Sequence, residues 1–133
     1  MAKTISILIA RLIFAAVFLM AVSFKFMGMG ATADFIAAAG FPIPLMLAWL
    51  AAIFEVALVL AFLTGAFFSY GAYLAAAYVA FLGIAFHGPS HWSANEAEFG
   101  FFVDHFTFAA GLLFAAVHGP GDKLVWRLPN SGP

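Results

Sequence analysis

The chain has 133 residues, of which 66% are hydrophobic and 8% charged, with five Lys or Arg against six Asp or Glu. Soluble domains carry about 25% charged residues, so this composition excludes a soluble globular protein; it leaves room for about four membrane spans of roughly 20 residues and no separate soluble domain. A net charge of −1 without any basic run gives no sign of a nucleic-acid partner, and the absence of cysteine excludes disulfides, thiolate metal sites and dithiol electron transfer.

The first apolar stretch, residues 5–26, begins after Lys3 and ends near Ala21-Val22-Ser23, a pattern resembling a signal peptide. Arg11 inside the run argues against cleavage, so the stretch reads as span one. It carries two cations, Arg11 and Lys25, fourteen residues apart, which places them within roughly 40° of one helix face and about 21 Å apart along the axis. A charge in such a segment faces protein or a water-filled cavity and finds a counter-charge, since leaving it in hydrocarbon costs about 2.5–3.5 kcal/mol. The rest of the chain is expected to supply acids.

After Phe26 comes a Gly-bearing break and then a short Ala-rich piece, 34–39, closed by Gly40, Pro42 and Pro44. Thr32 or Asp34 is placed to cap it and Gly40 to end it, which predicts a short interfacial helix. Span two is expected over about 44–63, with proline tolerated in its first turn and Glu55 near its middle. Span three follows Thr64-Gly65, over about 67–86, with Tyr70, Tyr73 and Tyr78 at helical spacing, and His87-Gly88-Pro89 ends it. The loop to Gly100 is the most polar stretch and holds His91, Trp92, Glu96 and Glu98. Span four is expected over about 101–117, with Asp104 and His105 in its first turn, before a tail over 118–133.

Lys3, Arg11, Lys123 and Arg127 lie toward the two chain ends, and the positive-inside rule puts both termini in the cytoplasm of a bacterium, the chain lying in the inner membrane. By residue count Arg11 lies about 9 Å and Glu55 about 12 Å above the inner boundary, so the two are expected to pair. Lys25, at the outer boundary, has Asp34 and Asp104 as expected partners.

Taken in order, Arg11-Leu-Ile-Phe, Ser23-Phe-Lys25-Phe26, Phe35-Ile-Ala-Ala-Ala-Gly40-Phe-Pro42, Glu55, His87 and His118-Gly-Pro-Gly121 resemble the DoxX family of small bacterial membrane proteins. The resemblance covers nearly the whole chain. It implies a four-helix membrane bundle, often linked to quinone or sulfur redox metabolism, with thiosulfate:quinone oxidoreductase as the best-known association. It carries Arg11, Lys25 and Glu55, and with them His87, onto this chain as family-type polar positions. The chain differs in its Asp104-His105 pair and its acidic, histidine-bearing loop.

The expected fold is therefore all-α: a single transmembrane domain over 1–133, a four-helix bundle with a short interfacial helix between spans one and two. Arg11, Lys25, Glu55 and Asp104 form the expected intramembrane polar network. Its plainer reading is a set of ion pairs fixing helix register, and its functional reading a proton or quinone site with Glu55 carrying the proton. Tyr73, Phe102 and Phe106 are the residues suited to a quinone ring, although aromatics at such spacings more often pack helices. His87, His91 and His105 converge at one end of spans three and four and, with Asp104, Glu96 or Glu98, are the candidate ligands for zinc, copper or iron, or His87 and His105 for a haem. The sequence commits to no cofactor; a quinone is compatible with it, and a metal or haem is the less favoured alternative. Three functions compete. The first is a non-catalytic accessory subunit of a larger respiratory or photosynthetic membrane complex, packing against other membrane subunits, lipid or quinone. The second is a quinone-linked oxidoreductase component, and the third a small transporter or proton pathway through the polar network.

Overall fold

A computed structural model describes residues 1–127; the last six positions of the expected tail lie outside the described residues. The order is α1 (Ala2–Met27), α2 (Met29–Ala38), α3 (Pro44–Thr64), α4 (Phe68–His87), a single 3-10 turn (Pro89–His91) and α5 (Ala97–His118). Helices α1, α3, α4 and α5 are each long and apolar enough to cross a membrane, and the described residues contain no strand. The class is the expected one, an all-α helical membrane protein of the bundle type with a short helix between its first two spans.

Local chemistry sets the helix ends. Gly28 breaks the chain after α1, so α2 starts at Met29, five residues earlier than expected. The Thr32 hydroxyl donates to the Gly28 carbonyl within the helix instead of capping it. Gly40 does end α2: at φ 86° it lets its own N–H reach the Ala37 carbonyl and the Phe41 N–H reach Ile36, a Schellman closure that a side chain at Gly40 would strain. Helix α5 begins at Ala97 and not at 101, because Asn95 Oδ1 accepts the Ala97 N–H at 3.0 Å and its carbonyl accepts the Glu98 N–H at 3.1 Å. Gly100, which looks like a boundary in the sequence, sits inside this helix.

By internal contacts the chain divides into two compact units, Met1–Phe68 with the tail from Pro120, and Ser69–Gly119. In the first, α1 runs antiparallel to α3, as shown by Arg11 meeting Phe62, Lys25 meeting Glu55 and Phe26 meeting Trp49. Buried positions recur at spacings of four and three on both helices: Arg11, Ala15, Phe18 and Val22 on α1, and Ala48, Ala52, Glu55, Val59 and Phe62 on α3. This is the seam of two closely packed helices, and its alanines allow the close approach that holds helices together in lipid, where no hydrophobic force does so. Phe62 is fully buried, with the rings of Phe14, Phe18 and Phe68 centred 5.5–5.8 Å away. Helix α2 packs on α3 and buries Ala33 and Ile36.

Candidate functional site

Arg11 is 1% exposed, and its five N–H donors all meet backbone carbonyls. Nε reaches Phe62 at 3.1 Å and Nη2 reaches Leu63 and Leu124, each at 3.0 Å. Nη1 reaches Pro120 at 3.2 Å and Lys123 at 2.7 Å. The arrangement follows from what the end of α3 lacks. The last four carbonyls of a helix have no partner within it, and the helix dipole leaves that end negative. Here the Gly65 N–H takes Ala61, Arg11 takes Phe62 and Leu63, and the Trp126 N–H takes Thr64 at 2.8 Å. Arg11 thus serves as the C-terminal cap of α3 and as the clasp of the segment 120–124. Gly65, at φ 74°, makes room for it: a Cβ there would sit 3.2 Å from both Val125 methyls and 3.3 Å from Nη2.

The expected pairing of Arg11 with Glu55 is therefore replaced. Glu55, 2% exposed, holds Lys25 through Oε1–Nζ at 2.8 Å. Asp34 and Asp104, the partners expected for Lys25, are both exposed. Side-chain direction explains the exchange. Helical side chains lean toward their own N-terminus, so Arg11 leans away from Glu55 and toward the end of α3. Lys25 leans down α1 while Glu55 leans up the antiparallel α3, and the two approach from opposite sides. Of the four residues expected to form one network, Lys25 and Glu55 are joined; Arg11 bonds about 10–12 Å farther along α3, and Asp104 stands on the outside of α5.

In the second unit, α4 and α5 close tightly at Gly83, where a Cβ would lie 2.9 Å from the Cβ of His105 and 3.5 Å from the ring of Phe106. One helical turn farther along α4, His87 faces His105 with ring centres 4.9 Å apart. His87 Nδ1 donates to Glu98 Oε2 at 2.6 Å, and His105 Nδ1 donates to the Phe101 carbonyl at 2.7 Å. The Trp92 indole N–H donates to the His87 carbonyl at 2.8 Å, and Trp92 stacks edge-on against Phe99 and Phe102.

Two of the three expected imidazoles are thus brought together. His91 is exposed, with its Nδ1 beside the hydroxyl of neighbouring Ser90, and no group of three His, Cys, Asp or Glu able to hold a metal occurs among the described residues. The rings of His87 and His105 are in contact with each other, whereas two axial ligands of one haem stand on opposite faces of its macrocycle. Phe102 and Phe106 do stack, 4.7 Å apart. Tyr73 does not share their site: it is half exposed and lies ten residues before Gly83, about 15 Å along α4. Glu98, expected only as one of three acids that could complete a metal site, instead holds His87, and the short loop keeps it within reach of the end of α4. Trp92, Gly65 and Gly83 carry no signal in the sequence as site-forming residues.

A family model described as DoxX matches residues 6–88, more than half of the chain. The match contains Arg11, Lys25, Glu55 and His87 and stops before Glu98, Asp104 and His105. No curated protein and no solved structure matches the chain.

Proposed function

The chain belongs to the DoxX family, and from that premise we propose that it is a non-catalytic accessory subunit of a larger membrane complex, respiratory or photosynthetic, in the bacterial inner membrane. As a multi-pass membrane protein it contacts lipid over its apolar surface. One observation carries the accessory reading: the charges packed between the first and second spans, Arg11, Lys25 and Glu55, are engaged by the chain itself. Arg11 has every donor on a backbone carbonyl and Lys25 is held by Glu55. A substrate-handling cation would keep donors open, whereas these residues set the register of α1 on α3 and anchor the segment after α5. The exposed side chains of the same helices, such as Leu12, Ile13, Ile53 and Leu60, are apolar and suit packing against other subunits, lipid or quinone. Lys3, Lys123 and Arg127 are exposed toward the two chain ends, which supports a cytoplasmic location for both termini.

A second reading, a quinone-linked oxidoreductase component, draws on the Lys25–Glu55 contact, an acid–base pair inside apolar helices. Native mass spectrometry of protein extracted from its own membranes in mild detergent separates the two. Stoichiometric association with other membrane subunits is the expected result. A lone chain carrying quinone would replace the accessory reading with the second.

A further inference from the structure

We propose that His87 and His105 form a two-imidazole site for a divalent transition-metal ion, Zn²⁺ or Cu²⁺, bound through their Nε2 atoms. The inference goes beyond the accessory role and does not depend on it.

The tautomers come first. The partners of the two Nδ1 atoms are a carboxylate at 2.6 Å and a backbone carbonyl at 2.7 Å, both acceptors. Each Nδ1 therefore carries a hydrogen, so the nitrogen through which either ring can bind a metal, once it has no second proton, is Nε2. A carboxylate or carbonyl behind the ring is the arrangement that orients metal-binding histidines and raises their basicity.

Spacing is the second argument. With metal–nitrogen distances of about 2.0–2.1 Å, an ion lies about 3.2 Å from each ring centre. An ion shared by the Nε2 atoms of two rings centred 4.9 Å apart would see them at roughly 100°, so the separation is compatible with the tetrahedral angle of zinc sites.

Both rings are also held in place. Gly83 lets the backbone of α5 approach so closely that His105 lies against α4. The Trp92 indole fixes the His87 carbonyl, and the Phe101 ring packs on the His87 ring at 5.3 Å. With no third His, Cys, Asp or Glu joining them among the described residues, the remaining coordination positions fall to water or to an added ligand. Two protein ligands leave more positions open than a closed four-ligand structural site does.

The test uses the full chain in mild detergent, stripped with chelator and desalted, then titrated with Zn²⁺ by calorimetry and with Cu²⁺ by electron paramagnetic resonance. The expected result is saturable binding of one ion per chain and a copper spectrum with superhyperfine splitting from two nitrogens. His105→Ala should weaken Zn²⁺ binding at least tenfold. Glu98→Gln, which keeps both imidazoles, should weaken it by about 10-fold or more, so a misfolded His105 variant does not remove the test. His91→Ala and His118→Ala, at exposed positions, should bind as the parent does. Absence of stoichiometric binding, a spectrum showing fewer than two nitrogens, or loss of binding in His91→Ala or His118→Ala would overturn the proposal.

Discussion

The exchange of partners around Glu55 makes a prediction that separates two pairings of the same residues. Lys25→Met takes the ammonium from the Glu55 carboxylate, whose side chain is 2% exposed, whereas Glu55→Gln takes the carboxylate from a lysine whose flexible side chain is 18% exposed. Breaking a buried pair by removing one partner costs about 3–5 kcal/mol, and Lys25→Met belongs at that level. Glu55→Gln should cost less, about 1–3 kcal/mol, because its amide oxygen still accepts from Lys25 and the lysine head can move toward the polar boundary. The double variant leaves no stranded charge, so its cost should fall below the sum of the singles by about 2 kcal/mol, a factor of roughly 30 in the unfolding equilibrium. Unfolding in mixed detergent, followed by helical circular dichroism, measures all four corners of the cycle. The same cycle with Arg11→Leu in place of Lys25→Met should be additive within about 0.5 kcal/mol. Coupling in the Arg11 cycle together with additivity in the Lys25 cycle would refute the assignment and restore the pairing expected from depth alone.

The Arg11 clasp gives two further predictions. Arg11→Lys provides three donors in place of five and should release part of the segment 120–126; amide hydrogen exchange should rise at Trp126, whose N–H bonds the Thr64 carbonyl, while protection in the middle of α3 is kept. Unchanged exchange at Trp126 would count against the clasp. Gly65→Ala should destabilise more than Gly40→Ala although both glycines have φ near 80°. Each alanine bears about 1–2 kcal/mol of left-handed strain, but the Cβ at Gly65 also meets Val125 and the guanidinium whereas that at Gly40 meets open space. Thermal melts of the two variants compare them directly, and equal shifts would show that the crowding at Gly65 has no energetic consequence.

Much of this could be read before any coordinates. Span two was expected over 44–63 and is Pro44–Thr64, and span three over 67–86 and is Phe68–His87. Long apolar runs and Gly or Pro breaks act locally, so they report where helices start and stop. The start of α5 was missed because Asn95 caps it with a side-chain oxygen, a stronger local signal than the glycine at 100. The convergence of His87 and His105 followed from chain ends alone, whereas the engagement of His87 by Glu98 needed the loop conformation.

By itself, then, the sequence determined the class, the number of spans, the breaks between them and the residues that carry charge inside them, since these depend on composition and on backbone preferences along a single segment. Only the tertiary structure decided which charge meets which partner. Residue counts give the depth of a Cα, but a lysine or arginine reaches about a turn away from it, and always toward the N-terminus of its own helix. On antiparallel helices that lean brings Lys25 and Glu55 together, and it carries Arg11 away from Glu55 to the unfilled carbonyls at the end of α3.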